Sequence, residues 1–233
     1  MKPYKIDISV LVIFFTRHEI FRKVFDEVKK ARPARLFLYQ DGPREGRPDD
    51  LVNIQKCREI AEDIDWECEV HKFYQERNVG VDPSGYIADT WAFSLTDKCI
   101  VLEDDIIPSQ SLFAFHKAML DRYENDERVM LVSGMNLKEI SKEIEDDYFF
   151  SRTTITLAWA SWARVVRQWD ASYSFLDDKV KIENFNRFIK KHKLVRNFEQ
   201  VCRAHRATQK AHFETILISN QYLHEGFTIV PKK

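Results

Sequence analysis

Glycine is scarce in this chain, with six occurrences among 233 residues, and neither GxGxxG nor GxxxxGKS/T occurs. A glycine-rich phosphate loop is therefore nearly excluded. Cysteine is also scarce, and Cys57, Cys68, Cys99 and Cys202 have no CxxC spacing, so we interpret them as reduced thiols of a cytoplasmic protein. Long apolar runs are missing too, because the run at residues 8–15 is too short to span a bilayer and lacks a signal-peptide cleavage site.

The chain has no excess of either charge, since 36 Lys and Arg residues balance 37 Asp and Glu residues. That balance predicts no nucleic-acid partner. The charges are unevenly distributed, however, because residues 179–210 carry ten Lys or Arg residues and only two Glu residues. A basic segment without a membrane span favours weak electrostatic contact with the inner membrane. We therefore predict a cytoplasmic protein with a peripheral membrane contact.

Short apolar runs rich in β-branched residues alternate with stretches of helical spacing in the first half of the chain. Strands are predicted at residues 8–15, 36–39, 68–73 and 100–102. Alternating strands and helices predict an α/β fold with a mainly parallel, Rossmann-like sheet flanked by helices. No linker-like composition interrupts the chain, so we predict a single domain, residues 1–233, in two halves divided after residue 108.

The second half is richer in aromatic and basic residues. Residues 158–169 carry apolar side chains at helical spacing and are predicted to form a helix. Helices are also predicted within the basic segment 179–209 and at residues 213–223, and a last strand at residues 226–231. Trp159 and Trp162 are interpreted either as a surface on which a sugar stacks or as core residues, and the core is favoured for at least one of them.

Three carboxylates, Glu103, Asp104 and Asp105, directly follow the predicted strand at residues 100–102, and Pro108 prevents further strand pairing. Adjacent negative charges at the end of a buried strand repel one another, and a divalent cation relieves that repulsion. Carboxylate and phosphate oxygens are the ligands that Mg²⁺ and Mn²⁺ prefer. The alternative is a solvated acidic turn. The two interpretations are about equally favoured, because open α/β sheets bind ligands at the carboxyl ends of their strands.

The other predicted strands also end in polar side chains. Thr16 and Arg17 follow the first strand, Asp41 the second, and Arg77 and Asn78 the third. In a parallel sheet these ends meet at one edge, where acids, a metal ion and arginines suit a diphosphate with its ribose. Taken alone, each arginine is better explained as a surface charge, and Asp41 also fits a turn residue that accepts backbone hydrogen bonds.

Four segments together resemble a known family: FFTRHE at residues 14–19, YQDGPR at 39–44, RNVG at 77–80 and VLEDDIIP at 101–108. In this order they resemble the GT-A glycosyltransferases, with the acidic triplet in the place of the DXD motif. More narrowly, they resemble bacterial transferases of lipopolysaccharide and capsule biosynthesis, which are similar to the Golgi N-acetylglucosaminyltransferase that starts complex N-glycans. The resemblance covers most of the chain.

Two later segments extend the resemblance. LAWASW at residues 157–162 matches a Gly-Trp-containing segment of that group, although the usual glycine is Ala158 or Ala160 here. HFETI at residues 212–216 falls where members carry a Trp-Asp motif. Glu214 would therefore stand in the place of an Asp that serves as general base, with one methylene more. Glu214 also starts a predicted helix, whose N-terminus stabilises a carboxylate. A surface carboxylate is an equally favoured interpretation.

The resemblance implies a role for each of the other candidate residues. Asp105 would bind Mn²⁺ or Mg²⁺ at the diphosphate, while Glu103 and Asp104 would hold the ribose or donor sugar and order the metal loop. Residues 1–108 would bind the nucleotide sugar, and residues 109–233 the acceptor. The residues that would complete the site for the nucleobase, ribose and diphosphate are Thr16, Arg17, Asp41, Arg77 and Asn78.

The predicted function is that of a metal-dependent, inverting glycosyltransferase. It would move a hexosyl or N-acetylhexosaminyl group from a nucleotide-diphosphate sugar to a glycan or glycolipid acceptor. A metal-dependent nucleotidyltransferase is disfavoured because the glycine-rich loop with a lysine is missing, and a metallohydrolase because the seven His residues form no ligand-spaced cluster. The chain ends soon after Pro231, where members of the family continue, so a nucleotide-binding but catalytically impaired module remains an alternative.

Overall fold

The computed structural model describes residues 5–233, so the first four residues of the predicted domain lie outside the described part. The strands within this range are β1 (Ile6–Phe14), β2 (Pro33–Gln40), β3 (Glu69–Tyr74), β4 (Lys98–Glu103), β5 (Val129–Val132), β6 (Tyr148–Ser151), β7 (Trp159–Trp162) and β8 (Phe227–Pro231). They form one eight-stranded sheet in the order β3-β2-β1-β4-β7-β5-β8-β6.

Most strands of the sheet run parallel. β1 pairs in parallel with β2 and with β4, β2 pairs with β3, and β5 pairs with β8. Only β7 and β6 run antiparallel to their neighbours in the described part. This arrangement, with helices on both faces, confirms the predicted α/β fold. The sheet also continues across the predicted division at residue 108, because β4 pairs with β7.

Eight α-helices accompany the strands of residues 5–233. They are α1 (His18–Ala31), α2 (Pro48–Ala61), α3 (Val81–Leu95), α4 (Gln110–Arg122), α5 (Ala163–Val166), α6 (Lys179–His192), α7 (Phe198–Thr208) and α8 (Phe213–Leu223). The helix predicted at residues 213–223 is confirmed with those bounds. The basic segment forms α6 and α7, whose apolar side chains face the core and leave the charged side chains exposed.

The central strands alternate their side chains between two hydrophobic cores, as a pleated strand requires. Ile100 and Leu102 of β4 join the core beneath α1, α2 and α4. Cys99 and Val101 join the core beneath α3 and α5 to α8. The alternation continues past Val101, so it places Glu103 on the same side as α3 and α8.

The helix predicted at residues 158–169 is wrong. Residues Trp159–Trp162 form β7, which pairs with β4 and β5, and only the short α5 follows. All four residues of β7 are buried. The strand therefore lacks the alternation of polar and apolar residues that would distinguish it from a buried helix in the sequence. Ala158 enters β7 with φ at 48°, in the left-handed region that favours glycine.

Stacking of an acceptor sugar on Trp159 or Trp162 is also contradicted. Both indoles are buried, with exposed fractions of 1% and 2%. Trp162 donates its Nε1 hydrogen bond to the carbonyl oxygen of Leu120, 3.1 Å away. Both residues therefore belong to the hydrophobic core. The core interpretation, which the sequence favoured for at least one of the two tryptophans, applies to both.

Candidate functional site

The carboxyl ends of the parallel strands meet beside a cavity of about 550 Å³. β1 is the point at which the strand order reverses: β2 and β3 are added on one side of it, and β4 is added on the other side. Such a switch point is where open α/β sheets bind ligands. Seven of the nine predicted site residues line this cavity: Thr16, Arg17, Asp41, Asn78, Glu103, Asp104 and Glu214.

Arg17 joins the ends of β1 and β4. Its Nη1 donates to Oδ2 of Asp105 at 2.8 Å, and its Nη2 donates to Oδ1 of Asp104. The other oxygen of Asp104 accepts the backbone N–H of Phe15 at 3.0 Å. Burial raises the pKa of Asp104, and these donors oppose the shift. Asp104 is therefore a buried residue that orders the loop, whereas the side chain of Asp105 is 40% exposed at the edge of the cavity.

Glu103 faces the cavity from the last position of β4, opposite Ile13 of β1. Burial raises the pKa of Glu103 to about 7, and neighbouring carboxylates add to the shift by repulsion. Those carboxylates belong to Asp105, Glu214 and Asp104. Near the end of β4 the site thus gathers four acidic side chains beside the guanidinium of Arg17, and this surplus of negative charge suits a bound cation.

We expect Glu103→Gln to change how stability depends on pH. In the wild type, Glu103 binds its proton more tightly when folded, so its stabilising contribution is full below its ordinary pKa of about 4.3 and is lost as the pH rises through about 7. Glutamine cannot ionise. The free energy of unfolding of the variant, relative to wild type, should therefore rise by roughly 3 kcal/mol between about pH 4.5 and about pH 8.

Urea unfolding of both proteins in EDTA-containing buffers across that pH range measures this difference. Groups that do not interact with Glu103 contribute equally to both curves and cancel in the comparison, whereas the carboxylates that repel Glu103 add to the difference. A difference between the two proteins that stays constant with pH would contradict the raised pKa of Glu103.

Asp41 holds the loop that follows β3. Its Oδ1 accepts the N–H groups of Gly42 and Val79 at 2.8 and 3.0 Å. Its Oδ2 accepts Nδ2 of Asn78 at 2.8 Å and the N–H of Gly80 at 3.1 Å. These contacts match the turn interpretation of Asp41, and they form the wall of the cavity at the end of β2. A role of Asp41 at a ribose stays a prediction.

Arg77 and Asp105 are the two predicted site residues that do not line the cavity. The side chain of Arg77 is exposed, and the backbone of Arg77 lies directly against Gly42. A Cβ atom at Gly42 would lie 2.4 Å from the nitrogen of Arg77, so only glycine permits this approach. Asp105 instead adjoins the cavity through its ion pair with Arg17.

Glu214 lies in the first turn of α8, on the side of the cavity formed by α3 and α8. Its Oε1 accepts the hydroxyl of Thr156 at 3.2 Å. The helix start is held close to α3, because a Cβ atom at Gly85 would lie 2.6 Å from the ring of Phe213. Glu214 is exposed and lines the cavity, close enough to Glu103 for the two carboxylates to repel each other.

A second contact fixes the same helix start. Nδ1 of His212 lies 3.2 Å from Oδ2 of Asp82, which itself lines the cavity. The ring of His212 stacks on His205 with centroids 3.8 Å apart, and Nδ1 of His205 lies 2.8 Å from the hydroxyl of Thr215. The start of α8 is therefore attached to both α3 and α7.

Sequence reasoning missed several residues that line the cavity, namely Phe15, Tyr39, Arg44, Asp82, Ser84 and Phe213. Arg44 could have been predicted from the sequence, because it lies in the YQDGPR segment. Asp82 and Ser84 had no such signal, since they lie in the first turn of α3, outside the segments that carry the resemblance.

The donor set fits a divalent cation shared with a diphosphate. Among residues 5–233, no group of three or more His, Cys, Asp or Glu side chains is arranged to enclose a metal ion. Mg²⁺-type ions, however, usually take one or two protein carboxylates and complete their shell with substrate phosphates and water. Asp105 is exposed beside the surplus of carboxylates, as that mode of binding requires.

No protein-family model matches the chain, and no curated protein matches it. Among solved structures, the chain is similar to 4-diphosphocytidyl-2C-methyl-D-erythritol synthase from Anaerococcus prevotii. The two share 11% identity over 75% of this chain and 77% of that one, with a TM-score of 0.38. A similarity of this size transfers neither activity nor substrate.

Proposed function

We propose that the protein is a metal-dependent, inverting glycosyltransferase that uses a nucleotide-diphosphate sugar. One observation carries the proposal: Glu103 and Asp104 at the end of β4, with Asp105 beside them, and Glu214 on α8 meet at one cavity at the switch point of the sheet. A leaving diphosphate needs charge neutralisation on one side, and an acceptor hydroxyl needs a base on the other. The cavity supplies groups of both kinds.

Each side chain has a defined task in this proposal. Asp105, with Glu103, would hold Mn²⁺ or Mg²⁺, which when bound supplies Lewis-acid neutralisation of the diphosphate. Arg17 holds Asp104 and Asp105 in position through its two ion pairs. Asp104 anchors the loop through Phe15.

The transfer itself is a direct displacement with inversion. Glu214 takes the proton from the acceptor hydroxyl, the hydroxyl oxygen forms the new bond to the anomeric carbon, and the bond to the nucleoside diphosphate breaks. The acceptor, a glycan or glycolipid, approaches between α8 and the β4 end. Thr156 orients the carboxylate of Glu214 through its hydroxyl.

Isothermal titration tests the proposal most directly. We expect at least one of UDP, GDP, CDP and ADP to bind in the presence of Mn²⁺, and to bind much more weakly in EDTA. Hydrolysis or transfer assays with the matching nucleotide sugar then separate an active transferase from a module that only binds nucleotide. Absence of Mn²⁺-dependent binding by all four nucleotides would overturn the proposal.

A basic surface on α6 and α7 supports a peripheral contact with the inner membrane. No helix of residues 5–233 is long and apolar enough to cross a membrane. Eight cations of this surface are exposed and make no ion pair within the described residues: Lys179, Lys181, Arg187, Lys190, Lys191, Lys193, Arg196 and Lys210. The aromatic rings of both helices are buried, so stacking on nucleic-acid bases is disfavoured.

We expect the protein to float with anionic liposomes at low salt and to be released at high salt, because screening weakens exposed charges. Each basic residue near an anionic surface contributes about 1 kcal/mol, so Lys190→Glu, Lys191→Glu and Lys193→Glu together should reduce the bound fraction by roughly 100-fold. The matched control is Lys23→Glu, Lys56→Glu and Lys142→Glu, which changes the same charge elsewhere. No lipid-bound protein at low salt, or equal loss in the control, would reject the membrane contact.

A further inference from the structure

Arg44 is a guanidinium that the fold holds rigidly at one end of the cavity. Its Nε and Nη2 donate to the two oxygens of Asp50 at 2.9 and 2.7 Å, and its backbone N–H donates to the same carboxylate at 3.0 Å. Asp50 lies in the first turn of α2 and is 1% exposed. The hydrogen bonds from Arg44 lower the pKa of Asp50 to about 2, so the pair stays charged over the whole physiological range.

Phe15 supports Arg44 from one side, because the guanidinium lies over the face of its ring. The guanidinium carbon lies 5.4 Å from the centroid of the Phe15 ring, and both side chains line the cavity. The backbone of Phe15 is held on both sides, because its N–H binds Asp104 and its carbonyl accepts Nε2 of Gln40 at 2.8 Å. A planar cation and an aromatic ring are thus fixed next to each other before any ligand arrives.

Arg44 lies toward the end of the cavity that is away from the acids of β4. Arg44 follows β2, the acids follow β4, and β1 lies between these strands in the sheet. Glu214 belongs to the β4 end, since it repels Glu103. A diphosphate neutralised at the β4 end with its sugar facing Glu214 would therefore extend its nucleoside toward β2.

We propose that Arg44, with Phe15, forms the surface on which the nucleobase stacks, and that Asp50 positions Arg44 for this contact. The inference rests on the proposed function, because it identifies the binding residues of the nucleotide in the same cavity. Arginine planes and aromatic rings both stack on bases, and such stacking tolerates any base. Fixing Arg44 in advance removes the entropy cost of ordering its long side chain on binding.

Phosphate binding is the competing role for a cavity arginine. Three of the N–H groups that Arg44 offers, including its backbone N–H, already go to Asp50, whose charge neutralises the guanidinium. The carboxylates that would bind a divalent cation, and through that cation the phosphates, lie at the β4 end. Arg44 is therefore placed to present a plane rather than a net charge.

The experiment compares a complete nucleotide with a ligand that lacks the base. Titrations use the strongest binder among UDP, GDP, CDP and ADP, and inorganic pyrophosphate, each with Mn²⁺. We expect Arg44→Ala to weaken the nucleoside diphosphate by about 10-fold and to leave pyrophosphate unchanged. Arg44→Lys, which keeps the charge but loses the plane and the paired contact with Asp50, should weaken the nucleotide similarly.

Arg47→Ala is the matched control, because Arg47 is also exposed and forms an analogous pair with Asp49 at 2.9 Å, but lies outside the cavity. It should bind both ligands like the wild type. Thermal unfolding of every variant checks folding, and Asp50→Asn offers a second route to release Arg44 should Arg44→Ala unfold.

The outcomes separate the inference from the proposed function. If the wild type binds none of the four nucleotides, the proposed function is wrong, and the inference that rests on it is wrong as well. If wild type binds a nucleotide and Arg44→Ala binds it equally well, the inference alone is overturned. Equal weakening of pyrophosphate and nucleotide would assign Arg44 to the phosphates, and wild-type binding by Arg44→Lys would show that charge alone matters; either result overturns stacking.

Discussion

Asp105→Ala is expected to abolish the Mn²⁺-dependent part of nucleoside diphosphate binding, with a loss of affinity of roughly 100-fold or more. Asp105 is the exposed member of the acidic triplet, and its contact in the described residues is the exposed Nη1 of Arg17. Removing it leaves Arg17 bound to Asp104, so the ends of β1 and β4 stay joined. The variant should therefore remain folded and lose the cation rather than the cavity.

Titration of the variant with the best-binding nucleotide, with Mn²⁺ and in EDTA, measures this effect. Asp97→Ala is the control, because Asp97 is an exposed carboxylate just before the amino end of β4, at the opposite edge of the sheet. Asp104→Asn should reduce binding less, since Asp104 is buried and orders the loop. Unchanged Mn²⁺-dependent affinity in Asp105→Ala would remove the metal assignment.

Strand ends were predictable because their signals are local. Glu103 to Asp105 directly follow a short apolar strand, and Thr16 and Arg17 follow another, so the edge they share needs only the parallel arrangement. The ion pairs from Arg17 to Asp104 and Asp105 confirm that these two strand ends meet. Periodicity also placed α8 correctly, and with it Glu214 in a first helical turn.

Contacts between elements were not predictable in the same way. The pairing of Arg44 with Asp50 depends on how the start of α2 turns back toward the end of β2, which no residue spacing reveals. The close approach of the Arg77 backbone to Gly42 joins the ends of β2 and β3, and it too is not visible in the sequence. The side chain of a loop residue at a strand end can face toward the cavity or away from it. Its contacts with neighbouring elements determine which of the two occurs.

Burial on all sides removes the periodicity that sequence reasoning needs. β7 was predicted as helix because the apolar side chains of residues 158–169 occur at helical spacing, yet the strand is enclosed between β4 and β5. Asp89 of α3 illustrates the same limit, since it is fully buried and, among the described residues, neither of its oxygens has a hydrogen-bond partner. Burial raises the pKa of Asp89 well above its ordinary value, which a helical pattern alone gives no reason to expect.

Glu214→Gln is expected to lower the rate of sugar transfer by roughly 10²–10⁴-fold while nucleotide affinity is kept. Glutamine preserves the shape of the side chain and can still accept a hydrogen bond from Thr156, but it cannot take a proton from the acceptor. Because the cavity wall is otherwise unchanged, the loss should appear in turnover at saturating donor and acceptor. Single-turnover transfer, together with titration of the nucleoside diphosphate, measures both quantities.

Two further variants distinguish a base from a structural carboxylate at the same position. Glu214→Asp restores the residue that the GT-A resemblance implies, and it should retain activity where the shorter side chain still reaches the hydroxyl. Glu183→Gln on α6 is the control, because Glu183 is exposed and lies outside the cavity. Full-rate transfer by Glu214→Gln would end the assignment. Loss of nucleotide affinity in the same variant would instead give Glu214 a binding role, because a proton acceptor for the acceptor sugar has no reason to hold the leaving nucleotide.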